Sequence, residues 1–317
     1  MNQLSNQKLI DIIEWDRQVI NSGSTTSTQI VVGKIGKGKP RALIVAGIHG
    51  DEQPWASFAI NKMLNQTRES ELLGTLIIIP IANPNATESN ARVSQLDYLD
   101  LNRVFPGDQG GTYTERIASL IAEIVHSGVD LVIDLHGGGS WCVNAFSFKF
   151  VGSEKYSEAF DAPFIVEGME RQNTLTGYAR SMGANITAIE MGGKCSEENS
   201  WADKISNGIR KALGLANVLS ITEENNECKS VPVGKTTVLR PSKGGILIPE
   251  LDSKNVGTIV KKGTLLGRIV DPATFETIEV LEAPYPQTAV LLLRPMLTTI
   301  EQGAMTYVVA PLLKPNI

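Results

Sequence analysis

Four short and nearly continuous apolar runs punctuate the first two thirds of the chain: Ala42 to Ala46, Leu76 to Ile81, Leu131 to Leu135 and Ile186 to Ile189. Runs of that length without polar alternation predict strands of a sheet covered on both faces. Between them the period becomes helical. Pro54 to Gln66 carries a proline in its first turn, where a missing N–H costs nothing, and Tyr113 to His126 gathers Ile117, Leu120, Ile121, Ile124 and Val125 on one face. Asn199 to Leu219 reads as a further amphipathic helix, with Trp201, Ile205, Ile209, Leu213 and Val218 on or near one stripe. Strands alternating with helices predict a doubly wound, mostly parallel α/β domain. The texture breaks near residue 225, where the polar stretch Thr222 to Glu227 reads as a linker. Beyond it, short β-rich runs are separated by glycine and proline: Lys235 to Arg240, Gly245 to Pro249, Gly257 to Val260, Leu265 to Val270, Thr277 to Leu281, Ala289 to Arg294 and Met305 to Ala310. These predict a small all-β domain. The expected organisation is an α/β domain over 1–225 and a β domain over 226–317.

Open sheets of this class bind ligands beyond the carboxyl ends of their strands. The reactive residues of this chain lie there. His49-Gly50-Asp51-Glu52 follows the first run, and Asp134-Leu135-His136-Gly137-Gly138-Gly139 ends the third; together they hold two of the chain's three histidines. A hydrolytic zinc takes three protein ligands, commonly two imidazoles and a carboxylate, and keeps a fourth position for water. His49, Glu52 and His136 supply that set. Glu190 ends the fourth run and is followed by Met191-Gly192-Gly193, an odd place for a surface carboxylate. It suits a general base beside activated water, the alternative being a carboxylate that caps the next element. Asp134 points to the same side of its strand as His136 and reads either as an acceptor orienting that imidazole or as a strand-end ion pair. Arg92 and Arg103 are both candidates for stabilising an oxyanion or gripping a carboxylate.

Composition changes the picture by exclusion. With 42% apolar residues the 317-residue chain has the material for a sizeable core. A net charge of −5 without a basic block argues against nucleic acid and an anionic membrane surface. No apolar run approaches the roughly 20 residues of a membrane span, and the first residues lack a basic start followed by an apolar stretch, so a cytoplasmic protein is expected. Cys142, Cys195 and Cys228 have neither the number nor the spacing of a disulfide framework or a thiolate metal site. Gly-x-Ser-x-Gly is absent, and Gly234-Lys235-Thr236 lacks the glycine of a phosphate-binding loop, which removes serine hydrolase and nucleotide-binding readings.

Taken in order, His49-Gly50-Asp51-Glu52, Asn83-Pro84-Asn85-Ala86 with Arg92, Asp100-Leu101-Asn102-Arg103, Asp134-Leu135-His136-Gly137 and Ile189-Glu190-Met191-Gly192 resemble the succinylglutamate desuccinylase/aspartoacylase family, a branch of the zinc carboxypeptidase fold. The resemblance implies one zinc per chain on His49, Glu52 and His136, with Glu190 as general base and proton shuttle. It further implies that Arg92 polarises the scissile carbonyl, that Asn102 and Arg103 hold the substrate, and that Arg180 binds its carboxylate. The stretch Val104 to Gly107 looks more like the family's bacterial predicted-deacylase subgroup than aspartoacylase itself, and the region after 226 resembles a biotinyl/lipoyl-like domain that covers the active site. The expected activity is hydrolysis of the amide of a small N-acyl amino acid or related N-acyl amine. A zinc carboxypeptidase acting on short peptides and a non-catalytic, metal-stabilised binding module are the alternatives. A homo-oligomer is compatible with all three. The connection from Val93 to Leu99 is longer than in aspartoacylase, and Tyr285 and Tyr307 are unanchored candidates for that enzyme's C-terminal tyrosine.

Overall fold

Four parallel strands make the centre of the molecule, which is described by a computed structural model over residues 6–21, 27–169, 171–221 and 228–313. The expected linker, Thr222 to Glu227, lies outside the described residues. The first part of the chain contributes β1 (Glu14–Asn21), β2 (Ser27–Gly36), β3 (Arg41–Ala46), β4 (Thr75–Ile79), β5 (Leu131–His136), β6 (Val143–Lys149), β7 (Phe164–Glu167) and β8 (Asn185–Gly193). Their order is β1-β2-β4-β3-β5-β8-β6, parallel across β4-β3-β5-β8 and antiparallel at both flanks. The four apolar runs are the four parallel strands.

Helices α1 (Leu9–Ile12), α2 (Gln53–Gln66), α3 (Pro84–Glu88), α4 (Tyr113–His126), α5 (Glu154–Glu158), α6 (Leu175–Ser181) and α7 (Glu198–Leu215) complete this part. Alternate residues of each central strand face opposite layers. Ala42, Ile44, Ile133 and Leu135 join the core with α2 and α7, whereas Leu43, Val45 and Val132 join the core with α4 and α6. Burial on both faces is why these strands show no polar alternation. Helix α7 stops before Val218, short of the expected end. Asn217 takes φ +55°, and the Val218 N–H donates to the Leu213 carbonyl at 2.9 Å, so a left-handed residue closes the helix.

After residue 227 the chain is β-rich, as expected: β9 (Val231–Pro232), β10 (Thr237–Leu239), β11 (Gly245–Pro249), β12 (Ile259–Lys261), β13 (Leu265–Val270), β14 (Thr277–Glu282), β15 (Gln287–Leu293), β16 (Thr298–Ile300) and β17 (Tyr307–Pro311). Strands β14-β13-β11-β16 form a sheet of their own. The others do not. Strand β15 pairs with the start of β6, Val143 opposite Leu293 and Asn144 opposite Leu292, and the main sheet continues through β17 and β10. The later part of β6 pairs instead with β7, Phe146 opposite Phe164. The sheet forks at β6, so the expected boundary near 225 does not separate two sheets, and the C-terminal strands are carried to the side of the central ones. No helix among the described residues is long and apolar enough to cross a membrane.

Candidate metal centre and active site

The turn after β3 builds half of the site. Gly47 takes φ +68°, His49 follows in extended conformation, and Gly50–Glu52 form a single 3-10 turn that runs into α2. That turn lies against the backbone of α3. A Cβ on Gly50 would sit 2.0 Å from the Ala86 carbonyl carbon, which explains the glycine between His49 and the acidic pair. Helix α3 is fixed by its own sequence: the Asn83 side chain accepts from the Ala86 N–H at 3.3 Å, and Pro84 occupies the first turn. The glycines after His136 serve the same need for close approach. A Cβ on Gly137 would meet the Trp55 indole nitrogen at 2.4 Å, and one on Gly139, at φ +69°, would meet an Asp51 carboxylate oxygen at 2.4 Å.

His49, Glu52 and His136 are brought together as expected, all buried, with one ligand atom of each within 4.8 Å of the others. Glu52 stands between the imidazoles, Oε1 at 2.9 Å from His49 Nδ1 and Oε2 at 2.9 Å from His136 Nδ1. The far nitrogens face other carboxylates: His49 Nε2 lies 3.1 Å from Asp100 Oδ1 and His136 Nε2 lies 3.0 Å from Asp134 Oδ2. A carboxylate at Nε2 favours the tautomer that donates there and leaves the Nδ1 lone pair for a metal. His49 Nδ1 is in fact buried without a hydrogen-bond partner among the described residues. Two inward lone pairs and a carboxylate therefore fit a divalent cation, and the donor set suits zinc among other transition metals.

The electrostatics agree. Burial alone would lower both imidazoles. For His49 the Glu52 charge and the Asp100 hydrogen bond outweigh it, and for His136 the Asp134 and Glu52 carboxylates do, so both sit above the ordinary histidine value. Burial would raise Glu52, yet the two imidazoles hold it below the usual carboxylate range. A cluster that takes up protons to balance its carboxylates is one that a cation can occupy instead.

Glu190 lies beside this cluster, three residues before the end of β8 and opposite His136 in the ladder of β8 with β5. Burial, and after it the Glu52 charge, pushes its carboxyl up to about 7. The His136 charge restrains it, and so does a hydrogen bond: Asn144 Nδ2 donates to Glu190 Oε2 at 2.7 Å. Arg92 donates to Glu52 Oε1 at 3.2 Å and to Asp100 Oδ2 at 3.1 Å, its guanidinium about half exposed at the mouth of the cluster. Asn102 accepts the Leu175 N–H at 2.9 Å through Oδ1, which turns its Nδ2 toward His136. Arg103 donates to the Asn102 carbonyl at 2.7 Å. A cavity of about 280 Å³ opens on these groups, lined by His49, Arg92, Asn102, Arg103, His136 and Glu190 together with Phe146, Phe148, Phe150, Arg171, Thr236 and Val308.

Arg180 is a correction. It lies on α6 just before β8 begins, at the end of that strand remote from Glu190, and donates to Ser153 Oγ at 3.1 Å and to the Val151 carbonyl. It does not line the cavity, because a residue near the amino end of a parallel strand cannot share the crevice formed at the carboxyl ends. Tyr285 and Tyr307 also turn elsewhere. Tyr285 is hydrogen-bonded to Thr237 at 2.6 Å, and the buried Tyr307 hydroxyl donates to the Leu266 carbonyl at 2.7 Å. The sequence reading assigned no role to Asp100, Asn144, Arg171, Thr236 or Val308. Asp100 lies in the Asp100-Leu101-Asn102-Arg103 motif and can be paired with a histidine; Asn144 reaches Glu190 through the pairing of β6 with β8, and Val308 comes with the C-terminal strands that join the sheet at the β6 fork.

A model of the succinylglutamate desuccinylase/aspartoacylase catalytic domain matches residues 38–216. The N-alpha-acetyl-L-2,4-diaminobutyric acid deacetylase of Halomonas elongata is 39% identical over 175 residues, covering 52% of this chain and 51% of that protein. The match thus spans about half the length of that relative. Among solved structures, the product-bound Ectoine utilization protein EutE (DoeB) from Ruegeria pomeroyi superposes with a TM-score of 0.79 at 25% identity, over 94% of this chain and 95% of that one. A succinylglutamate desuccinylase from Silicibacter sp. TM1040 has the same fold, with a TM-score of 0.79 at 23% identity over 95% of each chain.

Proposed function

The chain belongs to the succinylglutamate desuccinylase/aspartoacylase family, and from that membership we propose that it is a zinc-dependent deacylase, hydrolysing the amide of a small N-acyl amino acid to a carboxylate and a free amine. The observation that carries this reading is the convergence of His49, His136, Arg92 and Glu190 on one cavity of about 280 Å³, with Glu52 seated between the two imidazoles. Zinc on the three ligands would supply Lewis acidity, polarising a carbonyl and acidifying water to a pKa of roughly 7. The protein's own groups do the rest. Glu190 takes the proton of the attacking water and passes it to the nitrogen as the C–N bond breaks. Arg92 offers its exposed guanidinium to the oxygen that gains charge. Asp100 and Asp134 keep the imidazoles oriented. The size of the cavity, lined in part by Thr236 and Val308 from the β-rich C-terminal region, favours a single acylated amino acid over a peptide chain.

With Arg180 elsewhere, Arg103 and Arg171 are the cations for the substrate carboxylate. The test is release of free amine from acetyl, succinyl and longer N-acyl amino acids, each compared with its amide or methyl ester. The double variant Arg103→Ala/Arg171→Ala is expected to lower kcat/KM for the acids by roughly 30-fold or more, and to change the poorer esters far less. Equal use of acid and ester by the wild type would remove the carboxylate from the reading.

Asn144 gives a separate expectation. Its N–H stabilises the charged form of Glu190, so Asn144→Ala raises that carboxyl further. The base works deprotonated. Activity, lost as pH falls through the Glu190 value, should therefore disappear at a higher pH in the variant, and the pH 6 to pH 8 rate ratio should drop. A profile that moves down uniformly at every pH would make Asn144 merely structural.

A further inference from the structure

We propose that the substituent recognised beyond the reacting centre is apolar, an alkyl or aryl group lying over a phenylalanine floor rather than a second charged group. This deepens the deacylase reading and rests on it.

The cavity does not stop at the metal cluster. On the sheet face that carries His136 and Glu190, the same row of the ladder continues to Phe146 on β6. The next row runs Asp134, Ala188, Phe148, Val166 across β5, β8, β6 and β7. Neighbouring strands lie about 4.8 Å apart, so Phe148 stands roughly 10 Å to the side of the strand that bears His136. That is the reach of a substituent, not of the scissile bond. Phe146 and Phe148 meet edge to face at 5.3 Å, and Phe148 and Phe150 are 6.3 Å apart, so the floor is a continuous aromatic ridge with Val308 facing it from β17.

The charges of the cavity are distributed unevenly. Arg92, Arg103, Glu190 and the imidazoles line the end at the metal cluster, and Asp134 there is engaged by His136. The remaining charged residues of the lining, Glu167 and Arg171, are both exposed and therefore screened by solvent, and Arg171 is taken up by the substrate carboxylate. An ammonium seated over the ridge would exchange its hydration for phenylalanine edges and a screened carboxylate. An alkyl group loses nothing there, and each methylene removed from water is worth about fourfold in binding. The apolar group could belong to either half of the substrate, the acyl chain or the amino acid side chain.

The experiment compares kcat/KM of the zinc-loaded, full-length protein for N-acetylglycine, N-acetyl-L-norleucine, N-acetyl-L-phenylalanine, N-hexanoylglycine, N-acetyl-L-2,4-diaminobutyrate and N-succinyl-L-glutamate. At least one apolar substrate should exceed N-acetylglycine by on the order of 50-fold. Preference for the norleucine or phenylalanine compound assigns the ridge to the side chain, and preference for the hexanoyl compound assigns it to the acyl group. Val308→Phe, which narrows the space above the ridge, should reduce the apolar-to-glycine ratio about tenfold or more. Phe148→Ser should reduce it as well, and stands in if the first variant does not fold. Preference for diaminobutyrate or succinylglutamate over every apolar substrate, or a ratio that neither variant moves, overturns the proposal while leaving a deacylase. Failure to release amine from any of the six would overturn the deacylase reading and this inference with it.

Discussion

Glu190→Gln is expected to lower kcat by on the order of 10² or more while the metal content stays that of the wild type. The substitution keeps the shape and keeps an oxygen for the Asn144 N–H, now 2.7 Å from the carboxylate. What it removes is the capacity to take a proton. Nothing else in the cluster can replace it: Glu52 lies between the imidazoles, Asp134 is turned to His136, and Asp100 accepts from His49 and Arg92. Because Glu190 is not among the converging ligand atoms, elemental analysis should find the same metal in both proteins. The pairing of the two measurements separates roles. Lost turnover with lost metal would make Glu190 a ligand, and near-normal turnover would reduce it to a buried carboxylate satisfied by Asn144.

The parts of the fold legible in the sequence are those where burial is uniform. The runs ending at Ala46, Ile81, Leu135 and Ile189 contain strands because both of their faces are covered, and the residues after them share one crevice because parallel strands end together. Local motifs point to His49, Glu52 and His136, and the fold brings one ligand atom of each within 4.8 Å of the others. Edge elements were harder. Strand β1, Glu14–Asn21, is largely polar and exposed, since its outer side meets solvent, so it carries no apolar run. The pairing of β15 with β6 depends on residues some 150 positions apart, which no local pattern encodes. For the same reason Val308 and Thr236 could not be assigned to the site, although Phe146, Phe148 and Phe150 show a two-residue period that marks one face of a strand. Arg180 failed differently: its spacing before Glu190 matched a pattern, but the helix and strand between them take it to the opposite end of the sheet.

Metal content should follow the triad. Purified protein is expected to carry about one zinc per chain, and His49→Ala or His136→Ala to lose it together with measurable hydrolysis. The geometry gives a second readout that does not depend on activity. A ligand that binds the folded state alone adds RT ln(1 + [L]/Kd), about 2.7 kcal/mol at a hundredfold excess over Kd, so stripping the wild type with a chelator should lower its melting temperature by several degrees. In His49→Ala the chelator should have little left to remove and the melting temperature should be nearly insensitive to it. The variant's own baseline will also be lower, because Glu52 and Asp100 then lose the imidazole that stands 2.9 Å and 3.1 Å from them and remain as poorly compensated carboxylates. That baseline effect is present with or without metal, whereas the chelator-dependent part is not, and the difference between the two proteins isolates the site. Stoichiometric metal retained by both histidine variants, with an undiminished chelator shift, would move the metal away from His49, Glu52 and His136.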